Sequence, residues 1–98
     1  TPLAKACAER RLSSAETALH AYVAERVALQ RANGEEDRAS ALEEAQAVWL
    51  QTRNATCELV YLELTGGTLA PVAFTMCQVE DTEQRLARLR AIFGGEEL

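Results

Sequence analysis

Residues 45–57 read Ala45-Gln46-Ala47-Val48-Trp49-Leu50-Gln51-Thr52-Arg53-Asn54-Ala55-Thr56-Cys57, a stretch with neither glycine nor proline to interrupt a helix. Within it Gln46, Trp49, Arg53 and Cys57 follow at steps of 3, 4 and 4, so all four project from one helical face. On a wider window Leu42, Ala45, Trp49, Thr52, Thr56 and Leu59 recur at steps of 3, 4, 3, 4 and 3, a seam expected to bury Trp49 near its middle. Glu35, Glu36 and Asp37 put negative charge where a helix N-terminus favours it, and Gly66-Gly67 stops the run. The stretch therefore predicts a helix over residues 37–65.

Helical spacing continues on both sides. Upstream, Leu12, Ala15, Leu19, Tyr22, Val23 and Val27 recur at threes and fours, with Arg10, Arg11, Glu16, Glu25 and Arg31 mostly off that stripe. Asn33-Gly34, both tolerant of the left-handed backbone, end this helix, which is expected over residues 3–32. Downstream, Pro71 suits the first turn of a helix over residues 71–93, with Val72, Met76, Val79, Leu86, Leu89 and Phe93 on its apolar side and Gly94-Gly95 as its stop. Glu80-Asp81-Thr82 reads either as a kink or as a second start, with Asp81 and Gln84 in capping-box spacing. Connections this short make consecutive helices antiparallel neighbours, so the expected fold is all-α, an antiparallel three-helix bundle.

With 98 residues, 48% of them apolar, the chain fits one small domain over residues 1–98, and a net charge of −5 argues against a nucleic-acid or anionic-membrane ligand. No run is long and apolar enough to span a membrane. Cys7, Cys57 and Cys77 are an odd set. They lack the close spacing of a metal site, the sole histidine is His20, and no metal or cofactor is expected. Counting from Gly67, Cys57 lies ten residues before and Cys77 ten after, which sets them at matching heights on two antiparallel helices. A Cys57–Cys77 disulfide bracing the helix hairpin is the expectation, the alternative being two buried free thiols, and Cys7 is expected to bond to neither.

The same residues resemble a known family. The run Ala45 to Cys57, then Gly66-Gly67-Thr68, then Cys77, then Thr82-Glu83-Gln84-Arg85 with Leu86 and Leu89, looks like the N-terminal domain of LprI-type lysozyme inhibitors, with the pattern A-Q-x-x-W-x-x-x-R-x-x-x-C, G-G-(T/S), C and T-x-x-R-x-x-x-L. Thr1 to Leu19, with Cys7, resembles the family's first helix. The resemblance implies a small helical domain of exported bacterial proteins, periplasmic or secreted and in some members lipid-anchored, with the Cys57 and Cys77 positions paired. It also implies a cysteine upstream of the Cys7 position, which this sequence does not contain. Gln46, Trp49, Arg53, Thr82 and Arg85 are the family's motif residues. They read as mainly structural, with Trp49 in the core, the Arg53 and Arg85 heads in water or on helix-end carbonyls, and Gln46 on a buried backbone group; a pocket or partner surface on the same face is the alternative.

Three functions follow. The first is a protein-binding module that captures a basic lysozyme or other peptidoglycan hydrolase. Its rims would be the clusters Glu35, Glu36, Asp37 and Glu80, Asp81, Glu83, which read equally as solvated helix segments, and the turn Gly66, Gly67, Thr68, Leu69 would enter the enzyme's cleft. The second, an enzyme, is disfavoured, because His20 has no acid-base partner by spacing, and Glu43-Glu44 and Glu96-Glu97 are neighbours that diverge on a helix. The third is a structural or assembly protein of the envelope, such as a homodimer linked through Cys7. Asn54-Ala55-Thr56 matches a glycosylation acceptor but falls inside a helix and is set aside.

Overall fold

The computed structural model describes residues 1–64 and 67–94. Three helices, α1 (Pro2–Ala32), α2 (Glu36–Glu63) and α3 (Ala70–Phe93), form an antiparallel bundle of 51 × 22 × 20 Å, with no strand among the described residues. Every helix packs on both others. Gly66 and the segment Gly95 to Leu98, with Glu96 and Glu97, lie outside the described residues.

The termini follow the punctuation in the sequence. Thr1 Oγ1 accepts a hydrogen bond from the Ala4 N–H at 3.1 Å, and Pro2 opens α1 where no intrahelical donor is needed. Asn33 caps α1, and Gly34 turns the chain at φ +75°, a conformation costly for any residue with a Cβ. Gly94 closes α3 in the left-handed region, its N–H bonding to the Arg90 carbonyl at 2.8 Å. α3 runs unbroken through Glu80-Asp81-Thr82; there the Thr82 hydroxyl donates to the Gln78 carbonyl at 2.6 Å and introduces neither kink nor second start.

The bundle changes character along its length. Toward the α1–α2 turn lies the apolar core, Leu19, Val27, Ala39, Leu42 and Leu89, with Tyr22, Val23, Trp49, Leu86 and Phe93 packed against it. The middle is polar, as described below. The α2–α3 end holds the Cys57–Cys77 disulfide, with Cα atoms 5.6 Å apart, and an edge-on Tyr61–Phe74 pair at 6.2 Å.

One expectation for α2 is corrected. Of the proposed seam, Ala45, Thr52, Thr56 and Leu59 are exposed, Leu59 at 62%. The inward line is instead Ala39, Leu42, Gln46, Trp49, Arg53, Cys57 and Val60. A seam stepping alternately by 3 and 4 repeats every 3.5 residues and drifts about 20° per heptad around a helix of 3.6 residues per turn, so by Leu59 it has left the interior. Two successive steps of 4, from Trp49 through Arg53 to Cys57, keep the true face inward, and they do so with a charged residue.

The disulfide closes a loop of 20 residues, and several large side chains toward that end, Leu59, Leu62 and Leu64, are exposed, so covalent closure supplements a thin packing there. Reduction, or the double replacement Cys57→Ala/Cys77→Ala, is expected to lower the unfolding free energy by roughly 3 kcal/mol while leaving the spectrum helical. Calorimetry with and without reductant, read against circular dichroism, checks this.

Candidate functional site

The motif residues of α2 and α3 meet in the middle of the bundle. Arg53 is 5% exposed. Its Nη1 donates to Glu16 Oε2 on α1 at 2.8 Å and to Thr82 Oγ1 on α3 at 3.0 Å. Its Nε and Nη2 donate to Asn54 Oδ1 at 3.0 and 2.9 Å, and Gln78 Nε2 donates to the same oxygen at 3.0 Å. One guanidinium therefore ties together all three helices, each of its nitrogens donating to an acceptor, as a buried charge requires.

The Trp49 ring lies between two cations, with Arg53 Cζ 5.6 Å and Arg85 Cζ 5.7 Å from its centroid. Arg85 Nε donates to Gln46 Oε1 at 3.0 Å. Burial first, and the nearby Arg88 charge second, push the Arg85 guanidinium below its ordinary pKa. Gln46, Trp49, Arg53, Thr82 and Arg85 thus form one continuous set of contacts. The expected placement is corrected in three respects. Trp49 is half-buried, the Arg53 head sits inside the bundle on side-chain acceptors, and Gln46 serves Arg85 where a backbone group was expected.

The sequence reading places Glu16 off the apolar stripe, meets Asn54 only as a nominal glycosylation acceptor and gives Gln78 no role. For Glu16 that placement is corrected, and the signal was there: it continues the spacing of Leu12, Leu19 and Val23 at steps of 4, 3 and 4 and so sits in phase with the apolar stripe. An acid there calls for a cation across the bundle. The side chain of Asn54, nominal glycosylation acceptor, is committed to Arg53 and Gln78.

The other candidate residues are not brought together. Glu35, Glu36 and Asp37 sit at the α1–α2 turn and the Gly67-Thr68-Leu69 turn at the opposite end, about 40 Å away along α2. Much of the first cluster is neutralised: Glu35 accepts from Arg38 at 3.0 Å, and Arg31 bridges Glu36 at 3.0 Å and Glu43 at 2.7 Å. Glu80 is exposed beside the disulfide, Asp81 is half-buried, and Glu83 pairs with Arg11 at 3.5 Å. Gly67, Thr68 and Leu69 are exposed, Leu69 at 66%.

Cys57, Cys77 and Asp81 gather their donor atoms within 4.8 Å, yet both sulfurs are spent in the disulfide, leaving one carboxylate and no ligand set for a metal. Cys7 is free and exposed, its Sγ 3.4 Å from Arg10 Nη2. It lines an open groove of about 780 Å3 between α1 and α3, together with Arg11, Glu83, Leu86 and Arg90. His20 is exposed and shares a surface hollow with Glu43 and Arg31 that holds no serine, threonine or cysteine.

Two outcomes follow. Arg53→Ala is expected to cost about 3 kcal/mol or more, since it strands Glu16, Thr82 and Asn54, whereas Glu16→Gln, at the half-exposed end of the pair, costs about 1 kcal/mol. Urea unfolding of both variants measures this. Hydrogen bonds from Arg31 hold the Glu36 and Glu43 carboxyls below the ordinary value, so their contribution is complete above the unfolded pKa of about 4.3 and lost as pH falls through the lowered folded values. Thermal melts from neutral pH into acid should therefore show a shallower acid loss for Arg31→Ala than for the parent chain.

With this geometry in place, the comparisons with known proteins are specific in one respect. An uncharacterized protein of Rhizobium meliloti (strain 1021) is 35% identical over 57 residues, 58% of this chain, and the chain spans 41% of that relative's length. No solved structure matches. The family described as lysozyme inhibitor LprI matches over residues 2–89, a span that takes in the Arg53 network, the Cys57–Cys77 disulfide and nearly all of the three helices. The chain belongs to the lysozyme inhibitor LprI family.

Proposed function

We propose that this chain is an exported protein of the bacterial envelope, periplasmic or secreted, that binds a lysozyme-like peptidoglycan hydrolase and obstructs its cleft. Membership of the lysozyme inhibitor LprI family over residues 2–89 carries this reading. Charge supports it: at −5 the chain is drawn toward a basic muramidase, with long-range attraction acting chiefly on the encounter rate. No helix among the described residues is long and apolar enough to cross a membrane, which fits a role in an aqueous compartment. The disulfide fits an oxidising one.

In this reading the motif residues Gln46, Trp49, Arg53, Thr82 and Arg85 maintain the bundle and do not touch the target. Glu80 and Asp81 steer the approach more than the Arg-paired Glu35, Glu36 and Glu83, and Thr68 and Leu69 reach the partner from the braced turn. The exposed thiol of Cys7 favours a second reading, an envelope assembly protein linked as a homodimer, which a non-reducing gel separates from the first.

Capture on immobilised c-type, g-type and phage-type lysozymes, followed by a turbidity assay on peptidoglycan, tests the proposal. Inhibition of at least one basic enzyme is expected, weakening as salt rises. Arg53→Ala should lose inhibition only in proportion to lost folded protein. An Arg53→Ala chain that is fully folded and inactive would move the site onto the Arg53 face.

A further inference from the structure

α2 presents a second stripe on the side away from the bundle. Ala45, Val48, Thr52, Ala55, Leu59 and Leu62 follow at steps of 3, 4, 3, 4 and 3, and all are exposed, Val48 and Leu59 at 62% and Leu62 at 56%. Heptad spacing of small and aliphatic residues is the pattern of a helix seam that packs against another surface. Nothing among the described residues covers it.

The borders of the stripe say what kind of surface fits. Glu44 and Glu58 flank one side and Glu63 the other. Of the two arginines on α2, Arg38 sits in the first turn paired with Glu35, and Arg53 is buried, so α2 itself places no unpaired cation beside the stripe. The region from Asn54 to Gln84 contains no lysine or arginine at all, and holds Glu58, Glu63, Glu80, Asp81 and Glu83.

A second copy is a poor occupant. In a parallel pair of such helices the flanking positions five residues apart face each other, which sets Glu58 against Glu63 of the other copy. In an antiparallel pair like flank faces like flank, again acid against acid. We infer that the outer face of α2, from Val48 to Leu62, docks a protein surface with an apolar ridge bordered by lysine or arginine side chains. This rests on the reading of the chain as an inhibitor of a basic muramidase, and it puts the main contact on α2, with the hairpin turn at the edge of that contact.

The test uses the disulfide-intact chain and a basic c-type lysozyme, with binding kinetics by interferometry, inhibition by turbidity and mass by sedimentation. Leu59→Gln/Leu62→Gln and, separately, Val48→Ser change outward side chains only, so melting temperature and helicity should match the parent. Both are expected to weaken binding tenfold or more through faster dissociation, while Glu58→Lys/Glu63→Lys slows association and flattens its salt dependence. Folded apolar variants that inhibit as well as the parent would overturn the α2 contact and leave the inhibitor reading standing. A parent chain that binds no muramidase would overturn both. A parent dimer dissolved by Leu59→Gln/Leu62→Gln would assign the face to a second copy and overturn the inference.

Discussion

A guanidinium enclosed by three helices has to be answered from every side at once, and Arg53 is answered from α1 by Glu16, from α2 by Asn54 and from α3 by Thr82. These bonds are directional, so they fix the rotation of each helix as well as its distance from the others. Apolar packing tolerates sliding; a fork of donors at 2.8 to 3.0 Å does not. The Trp49 ring, held between Arg53 and Arg85, extends that constraint to Gln46. The network costs desolvation, and an all-apolar layer of the same shape would match its stability. What it adds is a single register for the bundle, from which the alignment of Cys57 with Cys77 follows.

Most of the architecture was legible in local chemistry. Asn33-Gly34, Pro71 and Gly94 are residues whose backbone preferences leave few alternatives, and the helices end where they say. Equal counts on either side of Gly67 set the two cysteines at matching heights, because rise per residue is constant along a helix, and the structure supplies the matching faces that bond them. The inward face of α2 was harder to read, since the interior there is polar. A reading that sorts residues by apolarity assigns Leu59 to the core and Arg53 to its edge, and both are displaced. Glu16 is separated from Arg53 by 37 residues, so no local window joins them.

For the candidate interaction surfaces, what stayed hidden was which charges are already spent. Glu35, Glu36 and Asp37 look alike in sequence to Glu80, Asp81 and Glu83. The arginines at hand differ: Arg31 and Arg38 hold Glu35 and Glu36, whereas Glu80 stands on the cation-poor side of the molecule. The acidic character of the chain is thus unevenly available, and strongest between Asn54 and Gln84. Exposed leucines also gather toward that end, at Leu59, Leu62, Leu64 and Leu69. Any second copy brought against these leucines would meet acid with acid, a charge arrangement that opposes self-association.

The disulfide also sets the order in which the molecule comes apart. It joins α2 to α3, while α1, whose Cys7 is free, is tied to them by the chain at Asn33-Gly34 and by noncovalent contacts. Thermal opening is therefore expected to begin with release of α1 from a closed hairpin, the hairpin persisting as a template on which α1 redocks. The first long-range polar contacts to part are Arg11–Glu83 and Glu16–Arg53, and with them Trp49 loses the α1 side of its surroundings. Native-state hydrogen exchange in such a chain divides into two cooperative units, an outer helix that opens often and a covalent pair that opens last, and the indole sits at the seam between them.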